Sequence, residues 1–297
     1  MEIRVLKNFL EVAKEGNITH TAERLHISQP TISKQIKDLE NELGVKLFTR
    51  SNYAIKLTEA GLLLRDRAED IIDLVNKTDA EFKNLDDIGG DIYIGAAESG
   101  LISLFAEAVK AVQDKYPRIR VNISSGDAVD VCEKLDKGIV DIGIVSNYFD
   151  PRKYNYLYLS KNWESDRWGI LMRKDDKLAT KEYFTLSEVL DLPIICSRQW
   201  RDQSMSHWFK EKTYKLNIIG TYNLSFNATV MVKERLGYAL MFEGIVNTGD
   251  DSIYKFVPIK GASHSHLHVI WRKNQTFTPT ARLLMNELEY RFSRPHD

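Results

Sequence analysis

Between His26 and Glu40 the chain reads HISQPTISKQIKDLE, which sets Gln29, Thr31 and Ser33 within about one helical turn and Lys34 and Lys37 just beyond. Gln can pair with the edge of adenine, Ser and Thr adapt to several bases, and lysine reaches guanine or phosphate. Ile32, Ile36, Leu39 and Leu43 recur in the same stretch at helical spacing, giving an apolar face opposite the polar one. The chemistry implied is contact with base edges in the major groove of DNA. The same pattern also fits a solvated cap on a small helical core, and spacing alone does not separate the two.

Other chemistry-bearing groups are sparse. His264, His266 and His268 alternate in SHSHLHV, a spacing that puts all three on one face of a strand and would suit zinc. No carboxylate or thiolate nearby completes such a set, so surface or hinge packing is expected and no metal. Cys132 and Cys196 are far apart without CxxC spacing and read as core residues. No Walker A loop, GxGxxG, GxSxG or HExxH occurs, which argues against an enzyme. The formal net charge of −1 is nearly neutral, and residues 1–61 carry nine Lys+Arg against eight Asp+Glu. A nucleic-acid reading therefore rests on placement rather than on bulk charge.

The elements that would position the polar turn follow from periodicity. Leu6, Phe9, Leu10 and Ala13 predict a helix over 2–15 that stops at Gly16. Asn17 caps a short second helix with Ala22 and Leu25 inward, and Ser28 caps a third with Pro30 in its first turn. Two helices around a tight turn make a helix-turn-helix. VKLFTRSNYAIKLT then reads as a wing, with Arg50 and Lys56 near the DNA backbone or minor groove.

From Thr58, a plausible cap, a helix runs on to Ile88 without Gly or Pro after Gly61. Gly61, Ala68, Val75 and Phe82 form one row, and Leu64, Ile71, Thr78 and Leu85 another, the a/d seam of a coiled coil. Packing against its own domain is the competing reading. NLDDIGGD ends the helix as a hinge. Strands and helices then alternate: DIYIGAAE, 101–115, IRVNISS, 128–137, DIGIVS. A second series runs WGILMRK, LPIICS, a helix near 204–212, NIIGTY, a helix over 226–235 and YALMFE. LHVIWRK and a helix over 279–292 close the chain. Two α/β lobes with a cleft between them are expected.

The ordered run FLEVAKEGNITHTAERLHISQPTISKQIKDLENELGVKLFTR followed by LTEAG resembles the winged helix-turn-helix of LysR-type transcriptional regulators from Leu6 to Gly61. The resemblance implies an α+β multidomain chain: a DNA-binding domain over 1–58, a linker and dimerisation helix over 59–88, and an effector domain over 89–297. The last would resemble type 2 periplasmic binding proteins, with lobe 1 at about 89–160 and 266–297 and lobe 2 at about 161–265. It implies DNA contacts by Gln29, Pro30, Thr31, Ser33, Lys34 and Arg50. The family usually has a second wing Arg where Tyr53 stands, and often Arg where Lys34 stands; Lys34 cannot form a bidentate fork.

For the helix, the family implies dimerisation, here through Leu64, Ala68, Ile71, Val75 and Phe82. For the cleft it points to Ser99, Gly100, Ser125 and Ser146 from one lobe and Arg198, Ser204 and Phe226 from the other. Ser99 and Ser125 precede or begin helices, which favours an anion, and Arg198 is suited to a carboxylate or phosphate, whereas Glu98 beside Ser99 works against an anion. The implied partners are double-stranded operator DNA, further copies of the chain as homodimer and homotetramer, RNA polymerase and a small-molecule effector. No cofactor is expected. No apolar run is long enough to span a bilayer, and MEIRVLKNFLEVAKE is charged throughout, so neither membrane nor export is expected and the address is cytoplasmic. An α/β enzyme or a solute-binding protein fused to a small helical domain is the alternative.

Overall fold

A computed structural model describes residues 1–50, 55–83, 89–146, 148–160, 165–204 and 216–292. The chain forms two compact units, Met1–Lys83 and Asn84–Asp297. The helix expected as a separate linker belongs to the first of them.

In the first unit α1 (Ile3–Glu15) ends at Gly16, whose φ of 62° lets its N–H reach the Val12 carbonyl. α2 (Ile18–Leu25) starts at Asn17, whose side chain accepts from the N–H groups of Thr19 and His20, and ends at His26 with φ 54°. α3 (Gln29–Leu43) starts at Ser28, which accepts from the Thr31 N–H, with Pro30 in the first turn. β1 (Phe48–Arg50) and β2 (Ile55–Leu57) pair antiparallel as the wing. Leu6, Phe9, Ile32, Ile36 and Leu39 form the core of this unit.

Leu43 departs from the expected apolar face, being 40% exposed, and Glu40 is buried in its place. The Glu40 carboxylate accepts from the N–H groups of Leu47 at 2.9 Å and Phe48 at 3.4 Å and from the Lys46 ammonium at 2.6 Å. Burial alone would raise its pKa, but these donors together hold it below the ordinary value. Glu40 thereby ties α3 to the first strand of the wing.

α4 (Glu59–Lys83) has 25 residues, about 38 Å at 1.5 Å per residue. Thr58 caps it by accepting from the Gly61 N–H. Gly61 is required there, because a Cβ would stand 2.1 Å from the Leu47 carbonyl oxygen. The seam is only partly what its spacing predicts. Ala68 is fully buried in the core of its own domain, and Leu64 and Ile71 pack against it. Ala68 thus packs wholly within its own domain, while Leu64 and Ile71 are half-buried there. Val75 and Phe82 continue the same stripe, with Phe82 71% exposed. Leu85 and the hinge over 84–88 lie outside the described residues, as does Tyr53.

The second unit contains two sheets. One lobe holds β3 (Gly90–Ala96), α5 (Ile102–Lys115), β4 (Ile119–Ser125), α6 (Ala128–Asp136), β5 (Ile142–Val145) and β6 (Tyr154–Tyr158). The other holds β7 (Trp168–Arg173), β8 (Phe184–Thr185), α7 (Leu186–Val189), β9 (Ile194–Ser197), β10 (Ile218–Tyr222), α8 (Ser225–Lys233), β11 (Tyr238–Phe242) and β12 (Tyr254–Lys260). β13 (His268–Arg272) and α9 (Pro279–Phe292) return to the first lobe. Strand orders are β4-β3-β5-β13-β6 and β10-β9-β11-β7-β12-β8. The first three strands of each sheet are parallel, and β13 and β7 run antiparallel to their neighbours β5 and β11. β6, β8, β12 and α7 were not foreseen. Trp200–Ser204 forms a π-helical turn, and the helix expected to continue to 212 lies outside the described residues.

The chain thus passes between lobes twice, and the two passages lie side by side. Asp166 and Ser265 exchange N–H···O bonds of 2.7 and 3.1 Å, and the Leu159 N–H donates to the Leu267 carbonyl at 2.8 Å.

Candidate functional site

In the first unit the polar turn stands clear of the core. Gln29, Pro30, Thr31, Lys34 and Lys37 are exposed and Ser33 is half-buried, while Ile32 and Ile36 hold the opposite face inside. The turn is pre-arranged by its own bonds: Gln29 Nε2 donates to Ser33 Oγ at 2.9 Å, and the hydroxyls of Ser28 and Thr31 lie 2.7 Å apart. A base edge met here would exchange with these contacts. The buried Asn8 amide donates to Gln35 Oε1 at 2.7 Å, fixing α3 against α1. Arg50 is the last residue of β1, opposite Ile55, and Lys56 is exposed on β2 opposite Thr49.

In the second unit a cavity of about 70 Å³ lies between the lobes. Ala97, Glu98, Gly126, Asp127, Ser146 and Tyr148 line it from one side and Trp168, Ser197, Gln199, Trp200, Tyr222, Asn223, Ser225, Phe242 and Ile245 from the other. Both contributing helices present their N-termini. Asp127 caps α6 by accepting from the N–H groups of Val129 and Asp130, and Gln199 Oε1, from the opposite lobe, accepts from the Ala128 N–H at 3.3 Å. α8 has no side-chain cap of its own; Glu98 reaches across and accepts from the Ser225 N–H at 2.6 Å. Each lobe thus satisfies a helix end of the other. Trp168 packs on Phe242 with ring centroids 4.0 Å apart, forming an apolar wall.

Of the expected cleft residues, Ser146 lines the cavity, and Ser99, Gly100, Ser125, Arg198 and Phe226 are not among its described lining. Ser99 is buried, donating to Asp166 Oδ2 at 2.6 Å and accepting from the Leu101 N–H at 3.0 Å. Gly100 is a close-approach position, since a Cβ would sit 2.4 Å from the Glu243 carbonyl oxygen. Ser125 is exposed at the end of β4. Arg198 is exposed and pairs across the lobes with Asp127 at 3.3 Å. Phe226 is 74% exposed, and Ser204 ends the π-helical turn. Not foreseen were Gln199, the aromatic wall, and the bond by which Glu98 crosses the cleft. Trp168 at the start of one strand and Phe242 at the end of another were a usable signal, because apolar rings at strand ends point to a pocket.

The three histidines do not converge. His264 Nδ1 meets Ser165 Oγ at 2.6 Å, whereas His268 is buried among Phe149, Tyr156 and Tyr158. Among the described residues no group of three or more His, Cys, Asp or Glu side chains is placed to hold a metal. No helix among them is long and apolar enough to cross a membrane.

Residues 3–62 match the bacterial regulatory helix-turn-helix protein of the lysR family, and residues 86–293 match the LysR substrate binding domain. The HTH-type transcriptional regulator YtlI of Bacillus subtilis (strain 168) is 29% identical over 310 residues, covering 99% of this chain and 90% of that protein. The Hca operon transcriptional activator HcaR of Escherichia coli (strain K12) is 25% identical, covering 93% of each. Among solved structures, CbnR, a LysR family transcriptional regulator, superposes with a TM-score of 0.75 at 18% identity, over 98% of this chain and 99% of that one. Full-length CbnR complexed with its target DNA gives the same TM-score at 19% identity, with the same coverage.

Proposed function

Because the chain belongs to the LysR family of bacterial helix-turn-helix transcriptional regulators, we propose that it binds operator DNA as a homodimer and that a small molecule held between its two C-terminal lobes sets the outcome. The observation that carries the first half is the exposed, hydrogen-bonding first turn of α3, held outward by the buried Ile32 and Ile36. Gln29, Thr31 and Ser33 read base edges, while Lys34, Lys37 and Arg50 supply phosphate contacts. Two copies present two recognition helices, so the operator is partly palindromic.

The outer part of α4, from Val75 to Phe82, supports pairing of two chains, and pairing of dimers into tetramers follows the same reading. The cavity between lobes joined by two passages supports effector control. A ligand that prefers one closure of the lobes shifts the population of arrangements, and with it contact with DNA and RNA polymerase. Work on DNA supports a cytoplasmic address. The test is enrichment of bound fragments from genomic DNA, followed by anisotropy titration of the enriched site. Retention of all fragments equally, with no difference on mutating Gln29 and Ser33, would remove base reading from α3.

A further inference from the structure

We propose that the inter-lobe cavity selects a small amine, bound as its ammonium, over a carboxylate, and that Glu98 sets this preference; the inference rests on the reading that a small molecule occupies the cleft. An anion entering an α/β cleft seeks unsatisfied N–H groups at helix N-termini. Here four of those groups already donate to side chains of the chain itself. Asp127 and Gln199 accept from the first turn of α6, and Glu98 accepts from the Ser225 N–H of α8. A carboxylate ligand would have to expel Glu98, and the displaced carboxylate would remain beside it in a cavity of about 70 Å³.

The remaining lining favours the opposite charge. Among the described residues neither Lys nor Arg lines the cavity, and the charged members of that lining are Glu98 and Asp127. Arg198 is already engaged with Asp127 at 3.3 Å, whereas among the described residues Glu98 meets no cationic side chain. Independently, Ser146 is 7% exposed and lines the cavity, and its hydroxyl makes no hydrogen bond among the described residues. Such a hydroxyl can accept from an ammonium as readily as it can donate to a ligand oxygen, so it offers a ligand contact and leaves the choice of charge to Glu98. Trp168 and Phe242, packed on one another, line the cavity with aromatic surface of a kind that can attract a cation.

The experiment uses full-length protein and three probes of one shape: propylamine, propionamide and propionate, at pH 7 and constant ionic strength. Trp168 and Trp200 line the cavity, so tryptophan fluorescence reports binding. Propylamine should bind at least tenfold more tightly than propionate. Glu98→Gln keeps an acceptor for the Ser225 N–H while removing the charge, and should reduce that ratio at least tenfold; Glu98→Ala, checked for folding by circular dichroism, should do the same. Ser146→Phe, which fills the cavity, should abolish the signal. If propionate binds more tightly and Ser146→Phe abolishes its signal, the amine inference falls and the cleft reading stands. Unchanged selectivity in both Glu98 variants also overturns the inference. A response to all probes that Ser146→Phe leaves intact, or no response at all, overturns both, while operator binding measured in parallel tests the DNA-binding half separately.

Discussion

Two buried titratable groups in the C-terminal unit work against each other between pH 4 and 6.5, and separating them tests the electrostatics of this fold. Asp166, 3% exposed, has its carboxyl pushed up to about 6 by burial, which outweighs the opposing bonds from Ser99 and the Gly100 N–H. The folded state therefore holds this proton more tightly than the unfolded state, and stability from Asp166 is full below about pH 4 and lost as pH rises towards 6. A rise of roughly two units is worth about 3 kcal/mol. His268, 5% exposed, is held down at about 4, by burial first and by neighbouring His266 second. Its folded state binds the proton less tightly, so this contribution is full above about pH 6.5 and lost as pH falls towards 4. Its size is also about 3 kcal/mol. Over their shared window the two nearly cancel. Asp166→Asn removes the first contribution and leaves the second. Urea unfolding of wild type and variant at half-unit steps from pH 4 to 7 should give a stability difference that grows in the variant's favour by about 3 kcal/mol as pH rises. A difference that stays flat across that range would refute the assignment of the raised carboxyl to Asp166. His268→Phe should produce the mirror-image profile, its ring suited to the site formed by Phe149, Tyr156 and Tyr158.

Gln29→Ala and Ser33→Ala should each cost about 1–3 kcal/mol of discrimination between operator and mismatched DNA, read by competition anisotropy. Arg50→Ala should weaken specific and non-specific binding alike and reduce the salt slope by about one. Val75→Lys combined with Phe82→Lys places charge on the stripe of α4 beyond its own domain core, and light scattering should then report monomer with collapse of operator affinity. Glu40→Ala leaves the Leu47 and Phe48 N–H groups without their carboxylate, and chemical denaturation should show a loss of about 2–3 kcal/mol in the N-terminal unit.

The N-terminal unit was legible because its signals are local. Asn17, Ser28 and Gly16 each act within a few residues of where they stand in the sequence. Glu40 was missed for the opposite reason: its partners are seven and eight residues on, across a turn, and nothing in its surroundings marks it as buried. In the C-terminal unit the strands that read as apolar runs were found, whereas β12 was not. Pro258 interrupts its sequence, yet it pairs with β7 through Gly169. The cavity was least legible. Glu98 meets Ser225 over a separation of 127 residues and Ala128 meets Gln199 over 71. No periodicity encodes which residue at a strand end turns into the gap and which, like neighbouring Ser99, turns towards a crossing segment.

The paired passages between the lobes have a mechanical consequence. A single strap would let one lobe swivel freely over the other, but here two straps are tied together by the rung between Asp166 and Ser265. Such a flexure bends readily about the line of the rung and resists torsion, since twisting would shear both hydrogen bonds. Opening and shutting is the motion that leaves this rung intact. Two straps joined in this way favour a defined displacement over a spread of orientations, which is what a switch with two positions requires.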